Sequence, residues 1–248
     1  LARRQRQMCI RDRAGWLFCW NSQHLCDVAD GVGAGPSFQL GADTALGSTS
    51  GAEANSEESA RNLMATVDLS KSKTHWPASV LVRRVLWTYG IEPLVRFLPK
   101  QLSPLRVMAL RLMGARVASS CVIMPGVRVL MPWNLQLDDH ASVGRDVELY
   151  NFALIHIQAM SVVSQGSYLS TGSHDFEHPH MPLIHAPIRI GPACWVAAGV
   201  FICPGVTIPE GCVVGARSLV ARSLPAPWTV YAGNPCRAIR PRQMKELD

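Results

Sequence analysis

The sequence predicts an all-β solenoid, a parallel β-helix of about five coils entered through a short helical segment. Three observations predict it. Apolar residues recur at every sixth position through the C-terminal half, a five-residue phrase returns in the same phase, and one long histidine-rich insertion breaks the rhythm. Self-similarity at a fixed short period marks a solenoid, in which each unit buries its apolar face on the next.

The period begins at Val117. Its leads are Val117, Ile123 and Val129, then, after a two-residue slip, Leu137, Val143 and Leu149, and after an identical slip Ile157, Val163 and Leu169. Beyond the insertion come Ile190, Val196, Ile202, Ile208, Val214 and Val220, so all fifteen leads are Ile, Leu or Val. Three hexads make one coil with three flat faces, each lead pointing inward onto the lead of the next coil. Small residues or Val should fill the corners: Cys121, Val127, Ala141, Val147, Ala159, Ser167, Cys194, Val200, Val206, Cys212 and Ser218. Ile-Met-Pro-Gly-Val at 123–127 returns as Ile-Cys-Pro-Gly-Val at 202–206. Equal twenty-residue steps from Val117 to Leu137 to Ile157 place two extra residues at one corner of successive coils. Right-handed winding is the default for parallel strands; the repeat itself carries no hand.

Residues 64–116 read as helical, 117–224 as the β-helix, and 225–248 as a C-terminal tail. Ser103-Pro104 is a cap followed by a first-turn proline, Leu105–Met113 keeps apolar residues at helical spacing, and Gly114 ends the helix. An earlier helix covers Ala78–Gly90, with Pro93, Pro99 and Pro104 breaking the segment into short pieces. From Val80 to Arg116 seven Arg or Lys stand against the single Glu92. Such a stretch either caps the open end of the β-helix with its charges solvated or lies on an anionic membrane. Residues 1–63 have a basic start and a Gly/Ala/Ser-rich continuation with little to bury, and read as a disordered or spurious extension. The run Gln7-Met8-Cys9-Ile10-Arg11-Asp12-Arg13 resembles translated adapter DNA, Met64 offers an alternative start, and a functional basic arm is the competing reading.

The net charge of +6 favours anionic partners, whether nucleotide phosphates, nucleic acid or an acidic membrane, without choosing among them. Of eight cysteines none forms a C-x-x-C pair, and Cys194, Cys203 and Cys212 recur inside the apolar repeat, so they read as small buried residues in a reducing compartment. No apolar run reaches membrane-spanning length, and the patch Trp16–Trp20 is too short for a signal-peptide core. The expected location is the cytoplasm, at the inner face of the membrane if the basic stretch engages it.

The insertion at 170–189 is the place for chemistry, being a loop held out from a rigid scaffold. It carries His174, His178, His180 and His185, half of the eight histidines. Thr171-Gly172-Ser173-His174-Asp175 is followed in order by Ile190-Gly191, Cys194-Trp195-Val196, Pro204-Gly205-Val206-Thr207-Ile208, Val214-Gly215-Ala216-Arg217-Ser218 and Ala232-Gly233-Asn234-Pro235-Cys236-Arg237-Ala238-Ile239-Arg240. In these motifs the chain resembles the hexapeptide-repeat O-acetyltransferases of the galactoside, maltose and nodulation type, and most of all the colanic-acid-type exopolysaccharide acetyltransferases. The resemblance covers roughly residues 76–243.

The resemblance implies a left-handed winding and an acetyl-CoA-dependent O-acetyltransferase acting on a sugar hydroxyl or glycolipid, with no nucleic acid and no metal expected. The family's catalytic histidine falls on His174. An alcohol is a poor nucleophile until its proton is taken, and a neutral imidazole suits that step at pH 7. The resemblance implies direct attack, so Cys194 and Cys203 need not act. It places the thioester oxyanion against a backbone N–H near Ala198, where relatives often carry Ser or Thr. It places CoA between coils of neighbouring protomers of a homotrimer, lined by Trp195, Ala198, Ala216 and Ala221, with Arg222, Arg237 and Arg240 on its phosphates. The resemblance places Asn151 and Asp175 at the acceptor, with a polar corner residue as the competing reading of Asn151. His178-x-His180 with Asp175 and Glu177 offers a metal-ligand pattern, although clustered loop histidines more often meet solvent or substrate. The competing functions are serine-type O-acetylation, which goes with a larger helical domain and a different tail, a hexapeptide-repeat carbonic anhydrase, for which only His156 lies on a coil, and a non-catalytic assembly protein.

Overall fold

The computed structural model describes residues 67–72, 74 and 76–245; the extension read over residues 1–63, and Met64 with it, lies outside them. From Arg116 onward the chain winds as a three-faced parallel β-solenoid of very short strands. The leads stack in register. Face one aligns Val117, Leu137, Ile157, Ile190 and Ile208. Face two aligns Ile123, Val143, Val163, Val196 and Val214, and face three Val129, Leu149, Leu169, Ile202 and Val220. All fifteen are buried. Full burial of such a side chain contributes about 1.5–3 kcal/mol, so the central stack dominates the stability of the coils.

The corners work by backbone conformation and by side-chain size. Gly126 and Gly205, the glycines of the repeated Pro-Gly, take left-handed φ values of 82° and 78°, which a side chain disfavours. In the third coil the corner place belongs to Ser161 and not to Ala159, which lies two residues out of phase. The Ser161 hydroxyl donates to the Gly191 carbonyl at 2.7 Å and accepts from the Cys194 N–H at 3.0 Å. A polar side chain is tolerated there because the neighbouring coil's backbone satisfies it. Ser167 does the same with the Ala197 carbonyl and the Val200 N–H.

The solenoid has about six turns, against the five expected. The added turn begins with the strand Thr229–Ala232, which sets Tyr231 on Val214 and extends face two; the strand Arg237–Pro241 then folds back antiparallel on it. That strand lies in the tail, where the six-residue period has already lapsed.

The helical segment departs from expectation in two places. Helix α1 (Ala78–Val85) does not end at Gly90; it runs through a π-helical stretch, Leu86–Ile91, directly into α2 (Glu92–Arg96). Pro93 falls in the first turn of α2, where the wider π stretch has already interrupted the α ladder and its missing N–H is not needed. Helix α3 (Ser103–Leu112) contains Ser103 within its first turn, and the hydroxyl accepts from the Ile123 N–H at 2.9 Å instead of capping the helix.

These helices close the first coil. The Trp87 indole donates to the Val129 carbonyl at 2.6 Å. Arg106 is buried, its guanidinium shared among the carbonyls of Val95, Ile123 and Pro99. A buried charge is tolerable when several acceptors surround it, so this arginine is an anchor and not one of the solvated charges expected.

Candidate active site

The two-residue slips and the long insertion occupy one edge of the prism, between faces three and one. The first coil spends its extra residues on the turn Pro132–Asn134, the second on 151–154, and the third opens into the loop. Strands Gly172–His174 and Leu183–His185 pair antiparallel there, with Gly172 opposite His185 and His174 opposite Leu183. The base of this hairpin is buried and small for a reason. Thr171 accepts from the Ala153 N–H and donates to the Tyr150 carbonyl, and the Ser170 hydroxyl donates to the Gly172 carbonyl. A Cβ on Gly172 would stand 2.5 Å from Cδ2 of Phe152. That ring is itself held by Tyr150, edge-on at 4.7 Å, and Trp76, stacked at 5.9 Å.

His174 leaves the hairpin half-buried, with Nδ1 at 2.6 Å from the Met181 carbonyl. A carbonyl oxygen only accepts, so in the neutral ring Nδ1 carries the proton and Nε2 keeps the lone pair. This is the tautomer that a general base attacking through Nε2 requires. Met181 is held in the left-handed region, φ 42°, with its N–H on the His178 carbonyl. The loop is tied elsewhere too. The Asp175 N–H donates to the Pro182 carbonyl, and Oδ1 of Asp175 accepts from the Glu177 N–H at 3.2 Å. His180 sets Nδ1 3.0 Å from the Asp68 carbonyl, and the Asp68 N–H donates to the Pro179 carbonyl at 3.0 Å. Neither the Met181 carbonyl nor the Asp68 clasp had a sequence signal, since a backbone carbonyl has no residue type and 112 residues separate Asp68 from His180.

Asn151 is fully buried at the same edge. Its Oδ1 accepts from the Met131 N–H at 2.9 Å, and its Nδ2 donates to the carbonyls of Met131 and Asn134. The amide laces the corner of one chain and has no face left for an acceptor. Asp175, by contrast, stays near His174 on the loop.

The residues expected at the cofactor lie on other edges. Ala198 and Ala216 occupy the same corner of successive coils, between faces two and three, linked by the Arg217 N–H on the Ala198 carbonyl. The Ala198 N–H meets no acceptor among the described residues. Trp195 stands on the outside of face two, 49% exposed, its indole donating to Ser164 Oγ at 2.9 Å. Ala221 and Arg222 follow the last lead of face three. Arg237 and Arg240 project from the terminal strand, exposed and outside any ion pair among the described residues. One chain therefore brings Trp195, Ala198 and Ala216 together but leaves His174 across face three from them.

Among the described residues the thiols are outside any disulfide and buried or half-buried. Cys194 donates to the Pro209 carbonyl at 2.9 Å, and burial pushes it up to about 11. Burial likewise raises Cys121, Cys212 and Cys236. His156 sits 2.7 Å from Asp138, and no group of three or more His, Cys, Asp or Glu side chains converges among the described residues.

No family model matches the chain. It is 48% identical over 157 residues, 63% of this chain and 86% of the relative, to a protein of Escherichia coli K12 described as colanic acid biosynthesis acetyltransferase WcaF. The solved maltose O-acetyltransferase of Clostridium difficile 630 matches with TM-score 0.62 and 24% identity, over 71% of this chain and 95% of that one. The hexapeptide-repeat acetyltransferase VCA0836 of Vibrio cholerae O1 biovar eltor, complexed with acetyl coenzyme A, matches with TM-score 0.61 and 24% identity, over 68% and 94% of the two chains. The fold held in common is the left-handed parallel β-helix.

Proposed function

The chain belongs to the hexapeptide-repeat acetyltransferase family that includes the colanic acid biosynthesis enzymes, and on that premise we propose that it transfers the acetyl group of acetyl-CoA to a sugar hydroxyl in exopolysaccharide or glycolipid assembly, with His174 as general base. The observation that carries the reading is the bond between His174 Nδ1 and the Met181 carbonyl, which presents Nε2 as the acceptor of a proton. As the acceptor oxygen attacks the thioester carbonyl, Nε2 takes its proton. The tetrahedral oxyanion rests on the Ala198 N–H, an amide with no competing partner among the described residues. Collapse breaks the C–S bond, and the imidazolium returns the proton to the departing CoA sulfur, leaving the ester and the free thiol.

The cofactor residues suit this donor. Ala198 and Ala216 put two small side chains at one corner near Trp195, Ala221 stands past the end of face three, and Arg222, Arg237 and Arg240 offer guanidiniums to phosphates. Because His174 lies across face three from Ala198, a second protomer supplies the missing half, and a trimer closes the ring. Asp175, next to His174 on the loop, orients the acceptor.

The test compares His174→Ala, His178→Ala and His180→Ala in acetyl-CoA cleavage with a panel of sugars. His174→Ala should melt with the parent, still bind acetyl-CoA, and lose about 10²–10⁴-fold in turnover, the usual loss for a positioned acid–base group. The other two should cost much less. Loss in either of those with retention in His174→Ala would assign the wrong histidine, and activity in all three would end the mechanism. An absence of sugar-stimulated cleavage throughout would favour an assembly role.

A further inference from the structure

The helical segment shows its apolar residues to solvent in two stripes at helical spacing. Along α1 and the π stretch they are Leu81, Val82, Val85, Leu86 and Tyr89, the last 80% exposed. Along α3 they are Leu105, Met108 and Leu112, the last 77% exposed. The opposite sides of these helices are already spent on the first coil, through Trp87 and through Val107, Ala109 and Leu110. Exposed apolar stripes of this kind on a folded chain mark a contact.

The charges say with what. Arg83 borders the first stripe, one N–H donating to the Met113 carbonyl at 2.9 Å with the guanidinium 4.3 Å over the Trp133 ring; Arg111 borders the second, its Nε donating to the Val117 carbonyl at 2.6 Å; and exposed Lys100 lies between the helices. None of the three is in an ion pair among the described residues. The one carboxylate between Ala78 and Leu112, Glu92, is turned inward toward Arg96 and Arg128. A second copy of this face would bring like charge against like charge with no carboxylate to offset it. No helix among the described residues is long and apolar enough to cross a membrane. An apolar stripe rimmed by cations, on a helix too short to span, fits the interfacial plane of a bilayer rich in anionic headgroups.

We propose that the exposed stripes of α1 and α3 dock the protein on an anionic lipid surface, apolar side chains entering the headgroup boundary while Lys100 and the remaining N–H groups of Arg83 and Arg111 meet lipid phosphates. This stands apart from the transfer reaction and from its acceptor.

The experiment is co-sedimentation of the full chain with vesicles of phosphatidylcholine, alone or mixed with phosphatidylglycerol. Binding should require the anionic lipid and weaken as salt rises. Val82→Glu with Tyr89→Glu, and separately Leu112→Glu, should each lower vesicle affinity by about tenfold or more. These side chains are exposed, so thermal melts and cleavage of acetyl-CoA with a soluble sugar should be unchanged. No binding to the anionic vesicles, or equal binding by the variants, would overturn the proposal. So would light scattering in which the variants dissociate an oligomer that the parent forms, because the face would then be a contact between protein chains.

Discussion

Gly172→Ala tests how the loop is aimed. The backbone at Gly172 is not in the left-handed region, so the substitution adds only a methyl group. That methyl would sit 2.5 Å from Cδ2 and 3.0 Å from Cε2 of Phe152, where ordinary carbon contacts begin near 3.4 Å. About 1 Å of movement is needed. Phe152 is fixed by Tyr150 and Trp76, so part of the movement falls on the strand Gly172–His174. Overpacking of this size costs roughly 1–3 kcal/mol of stability, or about 2–12 °C in Tm at ~2–4 °C per kcal/mol for a chain of this size. The catalytic effect should be larger, because a displacement near 1 Å of a reacting group costs up to about 10²-fold. Turnover in Gly172→Ala should therefore fall about 10- to 100-fold, with the Michaelis constant for acetyl-CoA nearly unchanged. Phe152→Leu, which removes the clashing ring edge, should restore most of it in the double variant, giving a clear coupling between the two sites. Full activity in Gly172→Ala, or a double variant as poor as the single, would refute the argument.

Arg237→Ala should raise the Michaelis constant for acetyl-CoA about three- to tenfold with less effect on saturated turnover, and the difference should shrink with added salt. Cys194→Ala should keep turnover within about twofold and the parent's Cys194 should resist thiol reagents at pH 8, since a thiol at about 11 carries almost no thiolate there. Burial raises Glu148, with Arg128 and Arg96 opposing, and Oε1 accepts no hydrogen bond among the described residues. A carboxyl whose folded pKa is raised costs stability above that pKa, and the cost disappears as pH falls and both states become protonated. Glu148→Gln should thus melt about 2 °C or more above the parent at pH 8, about half to one kcal/mol, and the gain should vanish near pH 4. A loss at pH 8 instead would mean that the two arginines outweigh burial.

The coils were legible because a lead residue has one demand, to be apolar and branched or flexible enough to stack, and that demand repeats. All fifteen leads are buried in register. The corners were harder. Ser161 meets its corner through hydrogen bonds, which size alone does not reveal, and so Ala159 drew the assignment. At Pro93 and Ser103 the local rules for breaking and capping a helix yielded to tertiary context, a π stretch in one case and the Ile123 N–H in the other. The histidine loop stood out as an interruption, but its aim did not, since Met181 acts through its carbonyl. For Asn151 the sequence left an acceptor contact and a polar corner residue side by side, and the structure favours the second by committing its amide to Met131 and Asn134. Outward-facing apolar stripes are invisible to periodicity, which reports that a helix has two faces and not which one the core takes.

The proposed site is assembled from two chains, and co-expression of two inactive forms tests it directly. His174→Ala removes the proposed base, and Ala198→Trp fills the corner proposed for the thioester; each should be inactive alone. If His174 of one protomer serves the Ala198 channel of its neighbour, random assortment around a three-fold ring leaves about a quarter of the sites with both halves intact. Activity near a quarter of the parent's is the expected result. A mixed preparation as inactive as its parts, under conditions where hetero-oligomers form, would place base and cofactor channel in the same chain and contradict the shared site.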